Sequence, residues 1–147
     1  MPAKAPQDPM LSSGLEYLSR CSTPYKASAL LFNARSRNDD NAQRRKAVEG
    51  EALLEKTEGF FRIALSEHAK TLDTPKFAAY LEKLSNQHAQ VAFIIGGAFG
   101  LGPEVIAKSN VTLSLSPLTM PHRLAFLVLA EQLYRASEIR RGSPYHK

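Results

Sequence analysis

Three stretches of this sequence combine residue types and spacings that can do chemistry. Val91-Ala92-Phe93-Ile94-Ile95 is an apolar run that ends in Gly96-Gly97-Ala98-Phe99-Gly100. Glycine has no Cβ, so another molecule can approach its backbone closely. A second apolar run, Val111-Thr112-Leu113-Ser114-Leu115, leads into Ser116-Pro117-Leu118-Thr119-Met120-Pro121. Small, hydroxylated and apolar residues between prolines can wrap a flat heterocycle with backbone amides, as an adenine pocket requires. The same loop could equally be a rigid start for a helix at Pro121. The chain closes on Arg140-Arg141 and on Pro144-Tyr145-His146-Lys147. Cations for phosphates and rings for unstacked bases are the ingredients for holding RNA, and a solvated charged face is the plainer alternative.

Other chemistries are excluded or weak. Gly97 and Gly102 have P-loop spacing, but Pro103 stands in place of the lysine and Glu104 in place of the Ser/Thr. Gly100 and Gly102 lack the third glycine of a dinucleotide fingerprint, so a tight strand-to-helix turn is the competing reading of this stretch. The histidines, His68, His88, His122 and His146, show no metal-ligand spacing and read as surface or packing residues. Cys21 is the only cysteine, which excludes an internal disulfide and a cysteine-rich metal cluster and fits a reducing, cytoplasmic setting.

These groups need elements to position them. The 147 residues are 44% hydrophobic and 22% charged, the composition of one globular domain spanning 1–147. The net charge of +5 favours polyanionic partners. No apolar run approaches the roughly 20 residues that span a bilayer, and Met1–Pro9 lacks the apolar segment of a signal peptide. Residues 1–7 are expected to be loose. Asp8-Pro9 predicts a helix start, with Leu11, Leu15 and Leu18 as its buried stripe. A strand is expected over 26–33, a polar loop over 34–40, a helix over 41–56 and a strand over 59–65. The turn 66–72 precedes a helix opened by Asp73-Thr74-Pro75 and carrying Phe77, Tyr80, Leu81 and Leu84 at helical spacing. Strand 91–95, a short helix from Pro103, strand 111–115 and a helix from Pro121 to about Arg140 follow. Apolar strands alternating with helices imply an α/β fold with a mostly parallel sheet covered on both faces. The last helix is apolar beyond one face (Leu124, Phe126, Leu127, Val128, Leu129, Ala130, Leu133), which favours burial against a second subunit. On it Glu131 and Arg135 are spaced for an intrahelical pair.

Ile-Ile-Gly-Gly-Ala-Phe-Gly-Leu (94–101), Leu-Ser-Leu-Ser-Pro-Leu-Thr-Met-Pro-His (113–122), Glu-Gln-Leu-Tyr-Arg-Ala (131–136) and Pro-Tyr-His-Lys (144–147) together resemble the RlmH family. These are ribosomal RNA large-subunit pseudouridine N(3)-methyltransferases of the SPOUT superfamily. The resemblance covers about residues 8–147 and is strongest after Val91.

The resemblance implies a sheet whose C-terminal segment is threaded into a trefoil knot, a rare exception to unknotted chains. It also implies a cytoplasmic homodimer that uses S-adenosylmethionine to methylate N(3) of a pseudouridine in 23S rRNA on the ribosome. Carried over by motif, the cofactor would meet Leu65, Gly96, Leu115, Ser116, Pro117, Leu118, Thr119 and Met120. Among the catalytic candidates His146 could accept the imide proton, because neutral imidazole is a base, while Arg135 and Tyr145 would contact phosphate or base. A partner's tail would complete each site. Two departures stand out. Met1–Pro9, with three prolines, occupies the place of the family's first strand, and Ser66 and Ala69 replace an acidic residue and a glycine in the turn after Leu65. They motivate the alternative of a catalytically degenerate relative that binds RNA or ribosomes.

Overall fold

A computed structural model describes residues 8–30, 41–97 and 100–147 of the chain. The helices begin where side-chain oxygens satisfy the first free amides. Asp8 accepts from the Met10 and Leu11 amides and opens α1 (Pro9–Ser19). Asn41 accepts from the Arg44 amide and opens α2 (Ala42–Lys56). After β1 (Phe61–Leu65), Asp73 caps α3 (Thr74–Gln87) through the Lys76 amide. The remaining elements are β2 (Val91–Ile94), α4 (Pro103–Ala107), β3 (Val111–Leu113) and α5 (His122–Arg141).

The three strands form a parallel sheet in the order β2-β1-β3. Ile63 stands opposite both Phe93 and Val111, and Leu65 opposite Leu113. On one face, Ile63 packs with Leu84 and Leu113, and Phe77, Ala78, Leu81, Leu129 and Ala136 join α3 to α5. α1 lies against α5 as well, and Gly14 allows the approach, since a Cβ there would stand 2.5 Å from the Phe126 ring. Side chains alternate along a strand, so Arg62 points to the other face. Its guanidinium donates to Leu54 O (2.9 Å) and Thr57 Oγ1 (2.7 Å) at the end of α2, and to Lys108 O (3.2 Å) at the end of α4. A cation at two helix C-termini satisfies carbonyls that the helices leave free and meets their negative dipole ends. Helices thus flank both faces, with α1, α3 and α5 on one and α2 and α4 on the other.

The expected strand over 26–33 does not form in its described part. Residues 26–30 belong to no strand, and Leu30 is 68% exposed. Ala27, Ser28 and Ala29 are small and unbranched, and offer a neighbouring strand little area to pack against. Residues 31–33, the expected loose segment 1–7, the polar loop 34–40, and Ala98 and Phe99 of the glycine stretch lie outside the described residues. β3 is shorter than expected, because Ser114 leaves β1 to bridge with Thr71 and gives its amide to Lys70 O at 2.9 Å.

Candidate active site

In open parallel sheets ligands bind beyond the carboxyl ends of the strands. Here the ends of β1 and β3 open onto a cavity of about 360 Å³, within the range of small-molecule sites. Leu65, Leu72, Phe77, Leu113, Leu115 and Val128 give it apolar walls. Asp73, Thr74, Ser114 and Gln132 add a few polar groups. The turn after β1 and the loop after β3 are tied together at its rim. Ser66 donates its amide to Leu113 O (2.9 Å), and the Thr119 hydroxyl donates to Glu67 Oε2 (2.6 Å). The Ser114 hydroxyl donates to Ser116 O at 2.8 Å, and Ser116 Oγ accepts from the Leu118 amide at 3.0 Å. The loop is therefore pinned by its own hydroxyls, while Leu118 is left 75% exposed.

The glycine turn after β2 serves the chain itself. A Cβ on Gly96 would stand 2.5 Å from the carbonyl carbon of Gly100 and 2.7 Å from the Leu101 nitrogen. Gly100 has φ +75°, a conformation costly for a residue with a Cβ, and donates its amide to Gly97 O at 3.0 Å. The close approach that the glycines permit is thus taken up by the returning backbone.

The second constellation lies at the end of α5. Gly142, with φ +75°, donates to Ile139 O (3.0 Å) and Ser143 donates to Glu138 O (3.0 Å), which closes the helix in a Schellman turn. The turn sends the tail back along the helix. Tyr145 then donates its hydroxyl to Glu131 Oε1 (3.0 Å), and Arg135 donates to the same oxygen through Nε (2.9 Å). The Arg135 guanidinium lies 4.7 Å from the Tyr145 ring centroid, and its Nη1 reaches His146 Nδ1 at 3.2 Å. Arginine only donates, so Nδ1 accepts and the proton of neutral His146 sits on Nε2. Burial pushes the Glu131 carboxyl upward, but the hydrogen bonds from Arg135 and Tyr145 outweigh it and hold the group below the usual carboxylate range. Burial first, and the Glu131 carboxylate second, push the Tyr145 phenol up to about 12, so it remains a donor at neutral pH.

Arg135 on α5 and the consecutive Tyr145 and His146 of the tail thus share one cluster. Leu65 and Leu115 share the strand-end cavity. Ser116, Pro117, Leu118, Thr119 and Met120 form the loop beside it, outside its walls, and Gly96 lies at the end of β2. Sequence reasoning missed Thr74, which it read only as a helix start, and Gln132. The signal for Gln132 was a polar side chain continuing the four-residue spacing of Leu124 and Val128 along an apolar helix. The other histidines lie apart: His68 and His122 are exposed, and His88 stacks on Phe61 at 4.4 Å. Among the described residues no group of three or more His, Cys, Asp or Glu side chains could hold a metal ion. No helix among them is long and apolar enough to cross a membrane.

Comparison with known proteins identifies the family. A family model described as "Predicted SPOUT methyltransferase" matches residues 3–146. The chain is 38% identical over 138 residues to the ribosomal RNA large subunit methyltransferase H of Caulobacter vibrioides, covering 90% of this chain and 86% of that one. To the protein of the same name from Ectopseudomonas mendocina it is 42% identical over 135 residues, with the same coverage. A third, from Gemmatimonas aurantiaca, is 49% identical over a shorter stretch, 58% of this chain and 55% of the relative. The chain belongs to the SPOUT methyltransferase family.

Proposed function

We propose that this protein transfers a methyl group to large-subunit ribosomal RNA, at N(3) of a pseudouridine, with S-adenosylmethionine as the donor. The observation that carries the reading is the pairing of a cavity suited to a small heterocyclic ligand with a cationic and aromatic tail cluster. The family supplies the reaction class, and the relatives' names supply the substrate. The cavity's volume, apolar walls and few hydroxyl and amide groups fit an adenosine-sized donor. Leu65 and Leu115 would hold it from the strand ends, with Gly96 and the loop 116–120 closing around it. When bound, the sulfonium supplies an electrophilic methyl group.

The chain's own residues then orient the acceptor. Arg135 and Tyr145 offer a cation and a ring for a phosphate and an unstacked base. His146 takes the imide proton, a role in which Arg135 must first give up its contact with Nδ1. Holding acceptor and donor in line contributes much of the rate. The open groove of about 540 Å³ between α1 and α5, lined by Tyr17, Leu124, Leu127 and Glu131, is where a second copy would pack. In that homodimer the partner's tail completes each site. A C-terminal trefoil knot is part of the same reading, which rests on the family.

Incubation with tritiated S-adenosylmethionine and large ribosomal subunits lacking the modification tests the proposal. Label in the rRNA at a pseudouridine is the expected result. A folded protein that binds ribosomes but leaves the rRNA unlabelled would instead be the degenerate relative.

A further inference from the structure

The hydrogen bonds of the tail cluster continue into the cavity. Gln132 donates its amide Nε2 to Glu131 Oε2 at 2.8 Å, and its Oε1 receives the Thr74 hydroxyl at 2.8 Å. Thr74 and Gln132 line the strand-end cavity, while Gln132 and Glu131 line the α1–α5 groove. An unbroken chain therefore runs Thr74–Gln132–Glu131–Tyr145, with Arg135 bonded to the Glu131 end and His146 bonded to Arg135. Its polarity is fixed. The Glu131 carboxylate can only accept, so the Gln132 amide must turn its nitrogen to Glu131 and its oxygen to Thr74. Thr74 and Tyr145 sit at opposite ends of this chain, one facing the cavity and the other on the tail.

We propose that Gln132 is a positioning residue that couples occupancy of the strand-end cavity to the placement of Tyr145 and His146. This rests on reading the cavity as the methyl-donor site. A bound ligand that engages the Thr74 hydroxyl changes what Gln132 Oε1 receives, and with it the hold of Gln132 on Glu131. The coupling is reciprocal, so a tail engaged on RNA alters the affinity for the donor by the same factor.

The test is amide-hydrogen exchange at Tyr145 and His146, read by NMR on the full chain, with and without S-adenosylhomocysteine. In the ligand-free protein, Thr74→Val is expected to speed exchange at both amides about fivefold, the loss of roughly one hydrogen bond. Thr74→Ser, which keeps the hydroxyl, should restore the native rate. Gln132→Leu should match Thr74→Val, and the amide of Leu81 in α3 should keep its rate in all variants. S-adenosylhomocysteine should change the tail rates in the native protein and leave them unchanged in Gln132→Leu. Native tail rates in ligand-free Thr74→Val and Gln132→Leu would overturn the coupling. So would a ligand response in Gln132→Leu equal to that of the native protein. If S-adenosylhomocysteine fails to bind the native protein, the donor reading falls, and the ligand-free comparison still decides the coupling.

Discussion

The cavity at the strand ends and the cluster at the end of α5 are built by different forces. The cavity takes its shape from strand register and from apolar side chains, with Leu65, Leu113 and Leu115 placed by the pairing of β1 with β3. The tail cluster is held by charge-assisted hydrogen bonds that converge on one carboxylate, Glu131. The first kind of construction is insensitive to salt and pH and sensitive to added volume. The second is sensitive to the loss of a single charged partner. The strand-end cavity and the tail cluster, joined through Gln132 and Glu131, therefore have separable vulnerabilities.

Arg135→Ala should separate them most sharply. It removes the donor to Glu131 and the cation over Tyr145, so methyl transfer should fall about 100-fold or more, while donor affinity measured by calorimetry stays within about threefold. Gly96→Ala strikes the other region. Its Cβ would meet the Gly100 and Leu101 backbone, so thermal unfolding should report a loss of about 1–3 kcal/mol, with weaker donor binding. Gly142→Ala forces a Cβ into a left-handed conformation at the turn that aims the tail. A loss of about 1–2 kcal/mol is expected in denaturant unfolding, accompanied by slower transfer at unchanged donor affinity.

Acid should loosen the charged region selectively. Glu138, buried beneath the turn, accepts from Arg141 and Ser22, and these bonds with that of Ser143 lower its carboxyl from 4.5 to about 2. Glu131 is shifted the same way. In this range the unfolded chain binds more protons than the folded one, so both contributions are lost as the pH falls below about 4.5, that of Glu138 toward pH 2. A pH series of unfolding midpoints should decline over that window, and Glu138→Gln should flatten it. The smallest effect is expected from Thr119→Val, which removes one exposed bond to Glu67 and should cost under about 1 kcal/mol.

Most helices were legible because their starts are written in single residues: Asp8, Asn41 and Asp73 each cap the helix that the sequence placed after them. The three strands of the sheet were legible from short apolar runs. The segment 26–30 misled because Ala and Leu satisfy an apolar pattern without supplying branched side chains for pairing. At the site, the glycines read as admitting another molecule, but at Gly96 it is the chain's own backbone that approaches, which composition alone does not distinguish. The convergence of Tyr145 and Arg135 on Glu131 depends on the reversal at Gly142, a tertiary fact that spacing along a helix does not contain. Glu131 and Arg135 were legible as a pair, and Thr74 and Gln132 were hidden because each has an ordinary role in its own helix.

The central proposal is that the methyl donor binds at the ends of β1 and β3, in the cavity that Gln132 shares with the tail's hydrogen bonds. An NMR titration with S-adenosylmethionine tests it directly. The largest amide shifts are expected in 65–74 and 113–120, with a second response at Tyr145 and His146. Shifts confined to Ser13, Tyr17, Leu124 and Leu127 in the α1–α5 groove, with 65–74 and 113–120 unmoved, would contradict it.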